Sequence, residues 1–190
     1  MEKIGYTFQV IDPYHNKELL AELKEVSDQW LSSKKEMTFS VGTFDKTYLQ
    51  SAAIGILRNN NQELVGFASI MPTYTEKTIS IDLIRWCEDE DIAMMDVLYL
   101  QTILWAKESG YQYFNLGMAP FSSSFKNTID WENTFVHSVY RHTQHLYSFK
   151  GLRKYKEKYK PKWSSKYIVY NNETSLLKNL YSCYRLINSK

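Results

Sequence analysis

The chain has 190 residues, of which 44% are hydrophobic, 15% aromatic and 23% charged. This length and composition are typical of one globular domain and exclude a disordered or low-complexity polymer. The apolar stretch Ile92–Trp105 contains Asp96 and Gln101, so it falls short of the roughly 20 apolar residues that cross a bilayer. No apolar signal-peptide segment follows the charges of the N-terminal residues, and a cytosolic setting is predicted.

Residue patterns in the first half predict a strand, a helix and a short helical turn, followed by a run of strands. Asp12-Pro13 ends the first strand, because the residue before a proline avoids the helical region. The predicted elements are a strand over Tyr6–Ile11, a helix over Asn16–Ser33, a short helical turn over Phe44–Leu49, and strands over Ala53–Arg58, Glu63–Met71 and Thr78–Trp86.

The second half begins with a predicted helix over Ile92–Glu108, preceded by acids that complement the helix dipole and ended by Gly110. Further elements are a strand over Tyr113–Leu116, a polar loop over Ser122–Asp130, helices over Trp131–Tyr147 and Lys150–Tyr159, a strand over Tyr167–Tyr170, and a C-terminal helix with its apolar face between Leu176 and Ile187. This order predicts an α/β arrangement in which helices cover a central sheet. Since no linker or repeat divides the chain, one domain over residues 1–190 is expected.

The formal net charge of +2 conceals a strongly basic segment, Arg141–Lys166. This basic segment holds nine Lys and Arg residues against one acid, Glu157, while the rest of the chain holds fourteen basic and twenty acidic residues. Aromatic residues such as Tyr155 and Trp163 alternate with the lysines. Such a surface suits polyanions, either RNA or anionic lipid headgroups. The alternative is a helix whose lysines face solvent and whose rings belong to the core.

Several catalytic classes are excluded by missing motifs. The sequence has no P-loop, no dinucleotide-binding glycine motif and no Gly-x-Ser-x-Gly elbow. Its four histidines do not combine with acids at zinc-site spacing, so neither a metal nor another cofactor is predicted. Cys87 and Cys183 are expected to be buried free thiols, although Cys87 with a distant histidine remains an alternative nucleophile.

Three phrases have a distinctive order: Ile81–Arg85 (IDLIR), Phe114–Pro120 (FNLGMAP) and Tyr147–Trp163 (YSFKGLRKYKEKYKPKW). Together with Val26–Leu31 and Phe39–Asp45, they resemble the cytosolic C-terminal region of the bacterial phosphatidylglycerol lysyltransferases, also called multiple peptide resistance factors. The resemblance extends from about Gly5 to Tyr170.

This resemblance implies a GNAT-like (N-acetyltransferase-like) fold, a mixed central sheet flanked by helices, equivalent mainly to the second half of a tandem pair. Family members move an amino acid, usually lysine and sometimes alanine, from aminoacyl-tRNA to phosphatidylglycerol. The cationic lipid product gives resistance to cationic antimicrobial peptides. The implied partners are therefore lysyl-tRNA and phosphatidylglycerol, and the implied location is the cytoplasmic face of the membrane.

The family's functional residues transfer to this sequence by matching motifs. Its Asp-x-x-Arg falls on Asp82 and Arg85, and its functional lysine falls on Lys158 or Lys156. The resemblance thus implies catalytic Asp82, Arg85 and Lys158, with substrate binding by Lys156, Gly117, Met118 and Arg153. A family acid that follows the Met-Ala-Pro phrase has no match within Phe121–Phe125.

Elementary chemistry is consistent with these roles. Transfer of a lysyl ester requires a group for the ammonium ion, which Asp82 supplies, and cations such as Arg85 or Lys158 for phosphate or oxyanion charge. One cleft is expected to gather these three side chains. In a regular strand residues 82 and 85 point to opposite faces, so a bulge or strand end is required. An ion pair at the sheet edge is the structural alternative.

Two other functions remain open on the sequence alone. One is a non-catalytic module of the same fold that binds tRNA or an anionic membrane through the basic segment. The other is an acyl-CoA N-acyltransferase, which is disfavoured because the pyrophosphate-binding loop of that class is absent.

Overall fold

A computed structural model describes the following parts of the chain: residues 5–32, 43–73, 77–90, 92–119, 149–167, 169, 173–175, 178–179, 181–182 and 185. Its strands are β1 (Thr7–Ile11), β2 (Ala53–Arg58), β3 (Leu64–Thr73), β4 (Thr78–Trp86) and β5 (Tyr113–Asn115). Its helices are α1 (Lys17–Leu31), α2 (Lys46–Leu49), α3 (Met94–Glu108) and α4 (Phe149–Glu157).

The five strands form one mixed sheet in the order β1-β2-β3-β4-β5. The first four strands pair antiparallel, and β5 pairs parallel to β4. Helix α3 connects β4 to β5, as a parallel pair requires a crossover connection. The predicted α/β fold class, a GNAT-like mixed central sheet flanked by helices, is confirmed.

Helices α1 and α3 pack on the sheet through separate apolar clusters. Leu23 and Val26 of α1 lie in a buried cluster with Ile56, Phe67 and Leu83 of the strands. The cluster under α3 is formed by Met94 and Leu98 with Leu57 and Val65. Neighbouring strand residues such as Ile56 and Leu57 belong to different clusters, as expected for side chains that alternate between two covered faces.

Local capping explains where the helices begin and end. The side chain of Asn16 accepts a hydrogen bond from the Leu19 N–H at 2.8 Å and caps α1. Asp45 caps α2 in the same way through the Tyr48 N–H, also at 2.8 Å. Gly110, with a φ of 81°, follows the end of α3 as predicted.

The sequence predicted most described elements with small boundary errors. The bounds of β2 and β4 are those predicted, whereas α3 begins at Met94 rather than Ile92. The predicted strand over Tyr167–Tyr170 is wrong at its described residues, because Tyr167 and Val169 have no strand structure and are 86% and 94% exposed. Tyrosine and valine favour strands only where a pleated surface packs against them.

Several predictions fall outside the described residues. They are the loop over Ser122–Asp130, the helix over Trp131–Tyr147, the thiol of Cys183 and most of the C-terminal helix. Within the described part of the chain, no helix is long and apolar enough to cross a membrane.

The chain divides into two compact units. Unit 1 comprises Met1–Asn115 and Tyr170–Lys190 and contains the sheet, and unit 2 comprises Leu116–Val169 and contains α4. The expected single domain over residues 1–190 stays a prediction.

Candidate functional site

A β-bulge in β4 sets the geometry of the first group of candidate residues, in unit 1. Ile81 pairs with Ile70 and Ile84 pairs with Ala68, so Asp82 and Leu83 together oppose the single residue between them on β3, Ser69. The Leu83 N–H donates a hydrogen bond to the buried Ser69 hydroxyl at 2.9 Å. The side-chain hydroxyl thereby satisfies a backbone group at the irregular position of the ladder.

The bulge brings residues 82 and 85 to the same side of the sheet. Arg85 is paired with Phe67, which lies in the cluster under α1, and Leu83 lies in that cluster as well. Counting back through the bulge places Asp82 on the α1 side too, because Asp82 and Leu83 share one pairing position. The geometric requirement for an Asp82 and Arg85 site is therefore met by a bulge rather than by the strand end.

Asp82 is half-buried, and one of its carboxylate oxygens is held by a tyrosine. The Tyr48 hydroxyl donates a hydrogen bond to Asp82 Oδ2 at 2.6 Å. Among the residues that the structure describes, Oδ1 makes no hydrogen bond. Burial, followed by the hydrogen bond and the negative charge of Asp82, raises the pKa of Tyr48, so this hydroxyl stays a proton donor at physiological pH.

Arg85 is buried, with 3% of its surface exposed. Its guanidinium carbon lies 4.1 Å from the ring centroid of Trp30, on α1. A planar guanidinium over an indole forms a cation–π contact, which is stronger when desolvated. Arg85 is consequently a cation fixed between the sheet and α1.

The second group of candidate residues lies in unit 2, where the Gly-Met-Ala-Pro loop meets α4. Lys156 Nζ donates a hydrogen bond to the Met118 carbonyl at 2.7 Å. Gly117 has a φ of 75°, and a Cβ at this position would lie 3.5 Å from the same nitrogen. The predicted substrate-binding residues Gly117, Met118 and Lys156 are therefore brought together.

Lys156 and Lys158, which the sequence did not separate, have opposite environments. Lys156 is only 5% exposed, and burial lowers the pKa of its amine to about 8. Lys158 is exposed, and its Nζ lies 4.8 Å from the Tyr155 ring centroid. No sequence pattern separates two lysines at the end of one short helix, but the contact of Lys156 with the Met118 carbonyl distinguishes them.

Arg153, predicted to bind substrate, contacts its own segment. Its Nε lies 3.2 Å from Glu157 Oε1, and its guanidinium stacks 4.7 Å from the Trp163 ring. The Trp163 indole N–H donates to the same carboxylate oxygen at 2.9 Å. Tyr155 and Tyr159 pack edge to face and are half-buried. Part of the aromatic stripe is therefore packed, whereas the lysines between the rings are mostly exposed.

Cys87 is half-buried rather than buried as predicted, and its thiol donates to Gln29 Oε1 at 3.1 Å. Burial and then the charges of Glu90 and Asp89 raise the pKa of Cys87. Because the thiolate is the nucleophilic form, this environment disfavours nucleophilic catalysis by Cys87. Within the described ranges, no group of three or more His, Cys, Asp or Glu side chains is arranged to hold a metal ion.

Comparison with known proteins identifies the family. Residues 1–170 match the family described as phosphatidylglycerol lysyltransferase, C-terminal. The chain belongs to this family. It is 43% identical over 190 residues to a phosphatidylglycerol lysyltransferase of Staphylococcus aureus strain MRSA252, and 40% identical over 188 residues to that of Staphylococcus xylosus. These matches cover 100% and 98% of this chain, and 23% and 22% of the relatives.

A solved structure agrees with this family assignment. The structure of L-PGS from Bacillus licheniformis is 41% identical and matches with a TM-score of 0.80, covering 98% of this chain and 56% of that one. The chain thus spans about a quarter of the length of the curated phosphatidylglycerol lysyltransferases and about half of the solved chain.

The candidate site residues fall into two groups, one in each unit. Asp82 and Arg85 lie on one side of the sheet in unit 1. Gly117, Met118, Arg153, Lys156 and Lys158 lie in unit 2. The prediction that Asp82, Arg85 and Lys158 share one cleft stays a prediction. Sequence reasoning missed Tyr48, because no motif links it to Asp82, 34 residues later.

Proposed function

We propose that the chain transfers a lysyl group from lysyl-tRNA to a glycerol hydroxyl of phosphatidylglycerol at the cytoplasmic face of the membrane. Family membership over residues 1–170 supports this function. The observation on which it chiefly depends is the β4 bulge, which turns Asp82 and Arg85 to one side of the sheet.

The proposed reaction is a transesterification. The lipid hydroxyl attacks the carbonyl carbon of the lysyl ester, a new ester bond forms, and the bond to the tRNA ribose oxygen breaks. One proton moves from the lipid hydroxyl to the ribose oxygen. Because the two esters are chemically similar, positioning and electrostatic stabilisation supply the rate, with no redox step.

Asp82 binds an ammonium group of the lysyl donor in this proposal. Within the described part of the chain, Oδ1 of its half-buried carboxylate makes no hydrogen bond, while Oδ2 accepts from Tyr48. Arg85 stabilises negative charge on the ester carbonyl oxygen. Its burial limits contact with a bulky tRNA phosphate, so a small oxyanion is the partner that suits it.

Lys156 and Lys158 have different roles in this proposal. Lys156 is buried and donates a hydrogen bond to the Met118 carbonyl at 2.7 Å, and we assign it to holding the Gly-Met-Ala-Pro loop within unit 2. Lys158, being exposed, is assigned to phosphate binding.

Exposed lysines extend this phosphate-binding role along the described part of the basic segment. They are all exposed and follow α4 closely: Lys158, Lys160, Lys162 and Lys166. Cations of this kind attract phosphates without sequence selectivity, as both tRNA and phosphatidylglycerol require.

Transfer of radiolabelled lysine from lysyl-tRNA to phosphatidylglycerol vesicles tests the proposal. The chain is assayed in two formats. In one it is alone, and in the other it is fused to the part of the Bacillus licheniformis L-PGS chain that it does not match. Asp82→Asn is expected to lower the rate more than about 100-fold, because a neutral amide no longer pairs with the ammonium ion. Its free energy of unfolding should change by no more than about 1–2 kcal/mol.

Asp12→Asn is the matched control, since Asp12 is exposed and lies outside both groups of candidate residues. It should transfer within about twofold of the unmodified chain. Absence of transfer in both formats would contradict the proposed function. Salt-sensitive tRNA binding without transfer would instead favour a binding module, which the exposed lysines also suit.

A further inference from the structure

Tyr48 lies on α2 and contacts the candidate site through a single hydroxyl group. Its ring packs against the apolar cluster beneath α1, and its hydroxyl reaches Asp82 Oδ2 at 2.6 Å. The phenol and carboxylate come from elements 34 residues apart in the sequence. Neither the pairing of β4 with β3 nor the cap of α2 involves the Tyr48 hydroxyl, so the contact acts locally on Asp82.

Helix α2 is held in place at both ends. Asp45 caps its first turn through the Tyr48 N–H, and Leu49 is fully buried. After the helix, Gln50 exchanges two hydrogen bonds with the His15 backbone, at 3.0 and 2.9 Å. The buried His15 ring also contacts the Ala52 carbonyl at 2.9 Å.

These contacts fix the position of the backbone from which the Tyr48 side chain extends. A side chain positions its partner only if its own backbone is restrained, and α2 meets this condition with one turn of helix. The buried His15, in the loop that follows β1, and the capped first turn of α2 together leave the Tyr48 ring few alternative orientations.

We propose that Tyr48 is a positioning residue for the transfer reaction, holding the Asp82 carboxylate so that Oδ1 meets the ammonium group of the lysyl donor. This inference rests on the proposed function. Carboxylates rotate readily about their terminal bond, and a hydrogen bond to one oxygen fixes the direction of the other. Tyr48 itself contacts no reacting atom.

Tyr48→Phe tests the inference because it removes only the hydroxyl and keeps the ring. The KM for lysyl-tRNA is expected to rise about five- to tenfold while kcat stays within about twofold, since the ammonium contact exists in both the bound substrate and the transition state. Tyr111→Phe is the matched control, because Tyr111 packs against Trp105 in unit 1, outside the candidate site.

A double variant separates positioning from a general loss of structure. If Tyr48 acts through Asp82, adding Tyr48→Phe to Asp82→Asn should lower the rate by less than about twofold further. A crystal structure of Tyr48→Phe should show a rotated or disordered Asp82 carboxylate on an unchanged backbone.

The outcomes distinguish this inference from the proposed function. Tyr48→Phe with an unchanged KM, beside an inactive Asp82→Asn, overturns only the role of Tyr48. A large additional loss in the double variant also overturns it. Full activity of Asp82→Asn overturns the role of Asp82 in the proposed function and the Tyr48 inference with it.

Discussion

The sheet side that faces α1 and the basic segment both contain cations, but they hold them in different ways. Arg85 is 3% exposed and stacked on Trp30. Lys158 is exposed and contacts one face of Tyr155. On the sequence alone both residues have the same predicted role, and only their environments separate them.

Lys156 shows that the difference does not follow the unit boundary. It lies two residues from Lys158, yet it is buried and donates a hydrogen bond to the Met118 carbonyl. A buried cation has a fixed position and an altered pKa, whereas an exposed one acts as part of a diffuse charge. Substitutions of buried and exposed cations should therefore differ in their effects.

Arg85→Ala should have the largest effect. Loss of a buried cation–π contact and of packing is expected to lower the free energy of unfolding by about 2–4 kcal/mol, in addition to abolishing transfer. Urea unfolding at pH 7 measures the change. Lys158→Ala is the matched exposed cation and should stay within about 0.5 kcal/mol; equal effects of the two variants would remove the contrast.

Lys156→Met should change how stability depends on pH. The folded pKa of about 8 lies below the ordinary value of 10.5, so between these values the unfolded chain binds more protons. Stability therefore gains from deprotonation of Lys156 as pH rises through this window, by about 1 kcal/mol per pH unit.

The difference between wild type and Lys156→Met isolates this contribution, because the raised pKa values of Tyr48 and Cys87 act equally in both proteins. Urea unfolding at several pH values from 7 to 10 should give a less positive slope for the variant. Parallel curves would show that Lys156 titrates normally.

Replacing Lys160, Lys162 and Lys166 together by glutamine should have the smallest effect on the fold. Binding of tRNA at physiological salt is expected to weaken by about tenfold or more, with a shallower salt dependence, because fewer counterions are released. Filter binding at several salt concentrations measures both. Unfolding should change by less than about 1 kcal/mol.

The same change at Lys17, Lys77 and Lys107, which are exposed in unit 1, is the charge-matched control. It should leave tRNA affinity within about threefold, since only a general charge effect remains. Equal losses from both triple variants would show that net charge, rather than the basic segment, attracts tRNA.

Much of the fold was predictable because its determinants are local. Asn16 and Asp45 cap helices within three residues, and Gly110 follows α3 in the left-handed conformation. The predicted strand at Tyr167 was wrong, because strand propensity does not supply a neighbouring strand.

The site was less predictable because its contacts span the chain. The Asp-x-x-Arg phrase located Asp82 and Arg85, but their shared face depends on Ser69 of another strand. Tyr48 and Trp30 each meet their partners across distant segments. The separation of Lys156 from Lys158 likewise depends on the loop at Met118. Such pairings are decided by tertiary packing, which no local pattern encodes.

Strand β4 contains one extra residue at its bulge. Asp82 and Arg85, which would lie on opposite sides of a regular strand, therefore lie on the same side. Removing Leu83 would restore a uniform ladder in which Asp82 opposes Ser69 and Ile84 opposes Ala68, and Asp82 and Arg85, then two positions apart, would keep their shared side. A spacing of three residues between the carboxylate and the guanidinium therefore suits one layer only while β4 carries its extra residue, whereas a regular strand would need a spacing of two.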